Sequence, residues 1–287
     1  MMEISSLANR SFDEFFEAFA GAFADYETQW DKAQLRAMLK RRGFDASLSF
    51  AAVDAGKIVA FTFNGIGDFN GKRSAYDTGT GTLKEYRGQG LASRIFAHSL
   101  PYLREAGIEQ YVLEVLQHNT AAVSVYQKQG FETIREFYYS NQSRELIRNP
   151  RKQPAPACEI KPLPLQEVAL LSHFSDSAPS WQNDLSSLQR AGDAIRCYAL
   201  FANGKPAGYV AFEPASGDIA QLAVHSGHRR QSYGSLLLQK VLDEVQSGVV
   251  KVINTEIANE PLHRFLEAKN IPARGKQFEM ILPLGRR

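Results

Sequence analysis

Between Glu85 and Arg94 the chain reads EYRGQGLASR, which sets Arg87, Gly88, Gly90 and Ser93 where an extended segment gives way to a helical pattern. Glycine lets a backbone take positive φ and approach a ligand closely. The first N–H groups of a helix have no partner inside it, and the helix dipole favours an anion there. The Arg87 guanidinium adds a fixed charge suited to phosphate. The chemistry on offer is a cradle for phosphate or pyrophosphate. A plain glycine-rich turn that holds a strand against a helix uses the same residues. No Gly-Lys-Ser/Thr follows, so a Walker loop is excluded. Positions 88, 90 and 93 read Gly, Gly, Ser, which departs from the dinucleotide fingerprint.

The elements that must position this stretch can be read from periodicity. Phe15, Phe16, Phe19 and Phe23 recur at helical spacing within 13–30, and their first reading is core rather than binding wall. Asp31 can cap a second helix that ends at Gly43. Two apolar runs around Asp54–Gly56 signal a hairpin, and 74–83 is the next strand. Leu91, Ala92, Ile95, Phe96 and Leu103 mark a helix that stops at Gly107 and contains Pro101. Residues 110–116 form a strand, 120–130 a short helix and 131–139 a last strand. This order predicts a mixed α/β (α+β) sheet rather than a doubly wound one.

The chain has 287 residues, more than one core of about 100–150 usually takes. Residues 149–164, NPRKQPAPACEIKPLP, hold five prolines and read as a linker. The flanking halves echo each other: VDAGKIVAF with FANGKPAGY, EYRGQGLAS with GHRRQSYGS, and NTAAVSVYQKQGF with NEPLHRFLEAKNI. The expected organisation is a first domain at 1–148, a linker at 149–157 and a second domain at 158–287, produced by duplication. A net charge of +2 gives no reason to expect nucleic acid or an anionic membrane as partner. No apolar run reaches the length of about 18 residues needed for a span, and the start lacks a secretion-signal pattern. Cys158 and Cys197 lack metal-ligand spacing, so no metal is expected, and the expected compartment is the cytosol. Oligomeric state, monomer or homodimer, is left open.

RGQGLA resembles the R/Q-x-x-G-x-G/A signature of the GNAT superfamily of acetyl-CoA-dependent acyltransferases. Some way on, Asn119, Ala122, Tyr126, Gly130 and Phe131 are similar to its second signature, N-x-x-A-x-x-x-Y-x-x-x-G-F. The resemblance covers 1–147 and, more weakly, 158–284. It implies two tandem domains, each a mixed, mostly antiparallel sheet with flanking helices and a central parallel pair of strands that splay apart. It also implies acetyl-CoA as co-substrate. The coenzyme would be held by Thr82, Leu83, Arg87, Gly88, Gln89, Gly90, Leu91, Ala92, Ser93, Asn119 and Tyr126. A strand N–H near Leu83 would polarise the thioester carbonyl, and Tyr126 would protonate the departing thiolate. The implied activity is N-acetylation by direct attack of a primary amine, on a small molecule or a peptide. A non-catalytic acyl-CoA sensor or scaffold and a mononucleotide-binding module are the rival readings.

An alkylammonium has a pKa of about 10 and must lose a proton before attack. Glu114, inside the apolar strand VLEVL, is the first choice of base, since burial raises a carboxyl's pKa. A structural carboxylate is the equal alternative, and Asp77 or a chain of waters the lesser ones. Gly79 and Gly81 lie within a strand and signal either a widened pocket or close helix packing. His118 reads as a surface loop residue. In the second half Ser232 stands for Gly90, Leu266 for Tyr126 and Asn270 for Gly130. Ser232 carries a Cβ that opposes positive φ, so this half is expected to keep the fold and lose the chemistry, while Arg229 and Arg230 leave residual anion binding open.

Overall fold

The computed structural model describes residues 2–25, 29–150 and 158–285. The first half of the chain forms β1 (Glu3–Ser6), α1 (Phe12–Ala22), α2 (Lys32–Arg42), β2 (Phe50–Asp54), β3 (Lys57–Phe69), β4 (Lys72–Thr82), α3 (Leu91–Glu105), β5 (Gln110–Leu116), α4 (Thr120–Lys128) and β6 (Glu132–Ser143). The second forms β7 (Cys158–Pro162), α5 (Val168–Leu171), α6 (Leu185–Ala191), β8 (Arg196–Ala202), β9 (Lys205–Glu213), β10 (Asp218–Val224), α7 (Tyr233–Glu244), β11 (Val249–Glu256), α8 (Glu260–Ala268) and β12 (Ala273–Pro283).

Two compact units result, and their membership crosses the linear cut. One holds Met1–Val115, Asn119–Ile134 and Glu279–Arg287; the other holds Leu116–His118 and Arg135–Phe278. The expected boundaries at 148 and 158 therefore need correction. Residues 135–148 fold with the second unit, and 279–285 fold with the first. Strand pairing is the cause. β6 runs antiparallel to β11, from Phe137 opposite Glu256 to Ser143 opposite Val249. The end of β12 lies beside β5, and the Leu284 N–H donates to the Glu109 carbonyl at 2.8 Å. Of the expected linker, residues 151–157 lie outside the described residues.

In the first unit β1, β2, β3 and β4 pair antiparallel in sequence, and β5 joins β4 in parallel. The parallel ladder covers only Ser74–Tyr76 against Gln110–Val112. Directly after it, the β3–β4 register shifts between Phe63 and Asn64, so that Asn64 faces Asp77, Phe63 faces Gly79, and Thr78 bulges out. A bulge adds twist and bends its strand. β4 therefore leaves β5 past Tyr76, and a cleft opens between them.

Helix α1 is nucleated by a capping box: Ser11 Oγ accepts from the Glu14 N–H, and the Glu14 carboxylate accepts from the Ser11 N–H at 2.7 Å. Such a cap contributes about 1 kcal/mol. The helix ends at Ala22, short of the expected 30; residues 26–28 lie outside the described residues. Asp31 and Gln34 form a second capping box for α2, which Gly43 terminates at φ 80°. Phe15, Ala18, Phe19 and Ala22 are buried against β3, where the Phe61 and Phe63 rings stack at 4.2 Å. These two rings lie across from Gly81 and Gly79. A Cβ on Gly81 would stand 2.6 Å from the Phe61 ring and 2.9 Å from Ala22 Cβ. The glycine at 81 serves close packing of α1.

The second unit repeats this plan. β7, β8, β9 and β10 pair antiparallel, β10 meets β11 in parallel only at Asp218 and Lys251, and a register shift follows between Ile219 and Gln221.

The sheet membership of 279–285 has a measurable consequence. Met280 and Leu284 are buried, at 0% and 2% exposure. Truncation after Phe278 removes both from the first unit, and the expected outcome is loss of its cooperative unfolding transition. Leu284→Ala should cost about 2–4 kcal/mol in urea unfolding. A truncated chain as stable as the full one would overturn this assignment.

Candidate functional site

At the mouth of the cleft the chain turns from β4 into α3. Gly88 has φ 77° and Gly90 φ 69°, and Gly90 is the N-cap residue of α3 with no side-chain cap. The first intrahelical bond is Arg94 N–H to Gly90 carbonyl, so the amides of Leu91, Ala92 and Ser93 lie ahead of it. A Cβ placed on Gly88 or Gly90 would meet nothing within 4 Å. Their missing side chains leave open space above those amides, as close approach of an anion requires. The cleft, of about 650 Å³, is lined by Thr82, Arg87, Gly88, Gly90, Leu91, Ala92, Ser93, Asn119 and Tyr126 among the residues expected from sequence. Asn119 caps α4, its Oδ1 accepting from the Ala122 N–H at 3.2 Å. This set fits a pyrophosphate-bearing ligand.

Two expected residues lie elsewhere. Gln89 is exposed, outside the lining, with Nε2 3.5 Å from the Glu85 carbonyl. Leu83 is buried and its N–H donates to the Val59 carbonyl at 2.9 Å, so it does not face the cleft. Strand alternation turns the neighbouring amides of Thr82 and Thr80 to the opposite edge, where β5 has diverged. Those are the amides available to a ligand laid along β4.

Arg87, which lines the cleft, also braces the strand and helix behind it. Its Nε donates to the Thr82 carbonyl at 3.2 Å, Nη2 to the Ala22 carbonyl at 2.8 Å and Nη1 to Asp25 Oδ2 at 3.2 Å. Ala22 ends α1, so the guanidinium caps that helix and ties it to the last residue of β4. The second unit repeats the brace: Arg229 Nε donates to the Val224 carbonyl at 3.1 Å, and its Nη2 pairs with Asp176 at 2.8 Å.

Deeper in the cleft two titratable groups meet. Tyr126 Oη donates to Asp77 Oδ2 at 3.5 Å, and Thr80 Oγ1 donates to the same oxygen at 2.9 Å. Thr80 Oγ1 also lies 3.2 Å from Thr62 Oγ1. Asp77 Oδ1 is buried with no hydrogen-bond partner. Burial pushes the Asp77 carboxyl up to about 6, against the opposing pull of Thr80, the Gly79 N–H, the Arg42 charge and Tyr126. Burial and then the neighbouring Asp77 charge push the Tyr126 phenol well above its ordinary value. It is therefore protonated at neutral pH. Its ring packs edge-on against Phe131, with centroids 5.5 Å apart.

Glu114 is not part of this group. It lies outside the cleft's lining and accepts a hydrogen bond from the buried Tyr76 hydroxyl. Asp77, the lesser choice from sequence, faces the cleft, and Glu114 braces β5 to β4. His118 is exposed. Thr62 and Thr80 were not singled out from sequence; nothing in their spacing marks them, because their contact arises across the β3–β4 ladder. Among the described residues no group of three or more His, Cys, Asp or Glu could hold a metal ion, and no helix is long and apolar enough to cross a membrane.

In the second unit Ser232 has φ 70° and ψ 6°, matching Gly90 at φ 69° and ψ 18°, and Arg230 has φ 66° where Gly88 has 77°. The backbone of the turn is kept although Ser232 and Arg230 each carry a Cβ that opposes positive φ. A cleft of about 590 Å³ lies beside it. The side chains differ more sharply. Ile219 stands as far before Arg230 as Asp77 before Gly88, at the same bulge, and Leu266 stands for Tyr126. Both are 1% exposed.

The model of the acetyltransferase (GNAT) family matches residues 11–131 and again 166–270. The chain belongs to this family. It carries the family's domain twice. A mycothiol acetyltransferase of Salinispora tropica is 34% identical over 124 residues, which are 42% of this chain and 40% of that protein. N-alpha-acetyltransferase 30 of Schizosaccharomyces pombe is 39% identical over 56 residues, 20% of this chain and 37% of that one. The chain spans about two-fifths of the length of the curated relatives it matches. Among solved structures, a tandem GNAT protein from the clavulanic acid biosynthesis pathway superposes with a TM-score of 0.75 at 14% identity, covering 99% of each chain. A putative acetyltransferase from Pyrococcus horikoshii gives 0.70 at 15% identity, covering 98% of this chain and 89% of that one. Both share the GNAT fold.

The two GNAT units supply a controlled comparison at the turn. Serine is tolerated at the φ of Gly90, so Gly90→Ser should keep the fold and lose no more than about 2 kcal/mol. Its Cβ intrudes on the space above the α3 amides, so the dissociation constant for coenzyme A should rise at least about tenfold by calorimetry, a loss of about 1.4 kcal/mol. Asp25→Asn should weaken the same binding through the Arg87 brace. Unchanged affinity in both variants would remove this turn from the binding site.

Proposed function

We propose that the chain is an N-acetyltransferase that moves the acetyl group of acetyl-CoA directly to a primary amine, with the first unit as its site. One observation carries the reading: a buried carboxylate, Asp77, has one oxygen without a partner and the other beside a protonated phenol, Tyr126. A base and an acid with pKa values pushed apart suit a reaction in which nitrogen loses a proton and sulfur gains one.

The amides of Leu91 to Ser93, opened by Gly88 and Gly90, would hold the pyrophosphate of the coenzyme. The Thr80 and Thr82 amides would hold the pantetheine arm as an added strand partner and receive the thioester carbonyl, where negative charge grows as the C–N bond forms. Asp77 takes a proton from the attacking nitrogen. Tyr126 gives one to the departing sulfur. Arg87 holds the end of β4 against α1 and so fixes the two threonine amides. The acceptor is a small-molecule or peptide amine that enters as the neutral base. Ile219 and Leu266 leave the second unit without either proton-transfer group, and this assigns it no chemistry.

The test is release of coenzyme A thiol from acetyl-CoA across a panel of small and peptide amines. Asp77→Asn should lower kcat/KM by about 10²-fold or more, and Tyr126→Phe should lower kcat by a similar factor. The pH dependence has a defined sign. Asp77 must be ionised to act, and its pKa lies above the ordinary carboxylate range, so activity falls as pH drops through about 6. This limb should vanish in Asp77→Asn. Thiol release that is absent for every amine, or indifferent to both substitutions, would refute the reading.

A further inference from the structure

We propose that Asp77 and Tyr126 act as one proton-transferring pair: arrival of the nitrogen's proton on Asp77 is what releases the proton of Tyr126 to sulfur, and the pair resets by passing the proton from Asp77 to Tyr126. This inference rests on reading the first unit as an N-acetyltransferase site.

The geometry divides the carboxylate between two tasks. Oδ1 is buried and partnerless, free for the attacking nitrogen. Oδ2 takes the Tyr126 and Thr80 hydroxyls. Among the described residues, Asp77 is the hydrogen-bond partner of the Tyr126 hydroxyl. In the resting pair the carboxylate holds the phenolic proton by its charge. When Asp77 is neutralised this hold ends, and the phenol becomes a stronger acid at the moment sulfur needs a proton.

Atoms and charge balance through the cycle. The C–N bond forms and the C–S bond breaks. One proton passes from nitrogen to Asp77 Oδ1, and one passes from Tyr126 Oη to sulfur. The carboxyl group then turns about its Cβ–Cγ bond and returns its proton to the phenolate. Neutral amine and thioester become amide and thiol, with no proton exchanged with solvent. The pair carries a charge of −1 before the two transfers and again after both. An isolated acid would leave the buried cleft at −2, which is costly away from water. The groups facing Asp77, namely the Thr80 hydroxyl, the Gly79 N–H and the Arg42 charge, favour the −1 of the resting pair.

The second unit supplies an independent observation. Both positions are aliphatic there, Ile219 and Leu266, each buried. Neither the carboxylate nor the phenol persists without the other.

The experiment is a double-mutant cycle on single-turnover acetyl-CoA cleavage, with hydroxylamine as a probe small enough to reach the thioester. Rates are corrected for the non-enzymatic reaction. Asp77→Asn and Tyr126→Phe should each slow the step about 10²-fold, and the double variant should be within about threefold of the slower single. Losses that multiply, to about 10⁴-fold, would overturn the pairing while leaving separate acid and base roles intact. Single variants as fast as wild type, or no enzyme-dependent cleavage, would defeat the underlying reading and the pairing with it. If a variant fails to fold by thermal unfolding, wild type alone decides. Rates in H2O/D2O mixtures should curve as two protons in flight require, and a linear dependence would overturn the pairing.

Discussion

The short parallel contact between β4 and β5 is the constraint on which the first unit's cleft depends. It ends at Tyr76 and Val112, and the bulge at Thr78 follows at once. Had the ladder continued, the amides of Thr80 and Thr82 would be consumed by β5, and no edge would remain for a ligand. The bulge also changes which side of β4 each residue faces, and it brings Asp77 to the cleft beside Tyr126 on α4. The free backbone edge and the placement of Asp77 at the cleft both follow from one extra residue in a strand.

Holding two strands apart needs support on both sides. Glu114 and Tyr76 join them just beyond the point where the ladder stops. Arg87 joins the far end of β4 to the carboxyl end of α1 through three donors. Arginine suits this because its donors are fixed in one plane and its charge meets both a helix terminus and Asp25. The pair Arg229–Asp176 shows that the brace belongs to the fold. It persists where Ile219 and Leu266 stand in place of Asp77 and Tyr126.

What was legible in the sequence was local. The two signatures, the capping residues Ser11 and Asp31, the stop at Gly43 and the internal echo all depend on neighbours within a few positions. The rest depends on contacts distant in sequence. The Asn70–Gly71 turn, with both φ positive, lengthens β3 and β4 into a long hairpin, but Gly65 and Gly67 mask the strand that leads to it. Glu114 outranked Asp77 because a carboxylate in an apolar strand is conspicuous, whereas a one-residue bulge leaves no mark in the spacing. Arg87 was read by charge alone, and its partners Ala22, at the end of α1, and Asp25, just after it, are more than sixty positions away. The membership of 279–285 in the first unit could not be read from a proline-rich linker, since strand pairing ignores chain order.

The two copies also separate what the turn before the helix needs from what its glycines are for. Arg230 and Ser232 hold positive φ at a cost of about 1–2 kcal/mol per residue. That cost is borne because the turn directs α7 onto its sheet, where Leu236, Leu237 and Val241 are buried. The conformation is thus a requirement of folding and is no mark of a ligand. Gly88 and Gly90 are then distinguished by the space they leave. With nothing within 4 Å of either would-be Cβ, packing does not exclude a side chain at these positions. Glycine at both keeps the α3 amides bare, and bare amides at a helix start matter only to something that binds them.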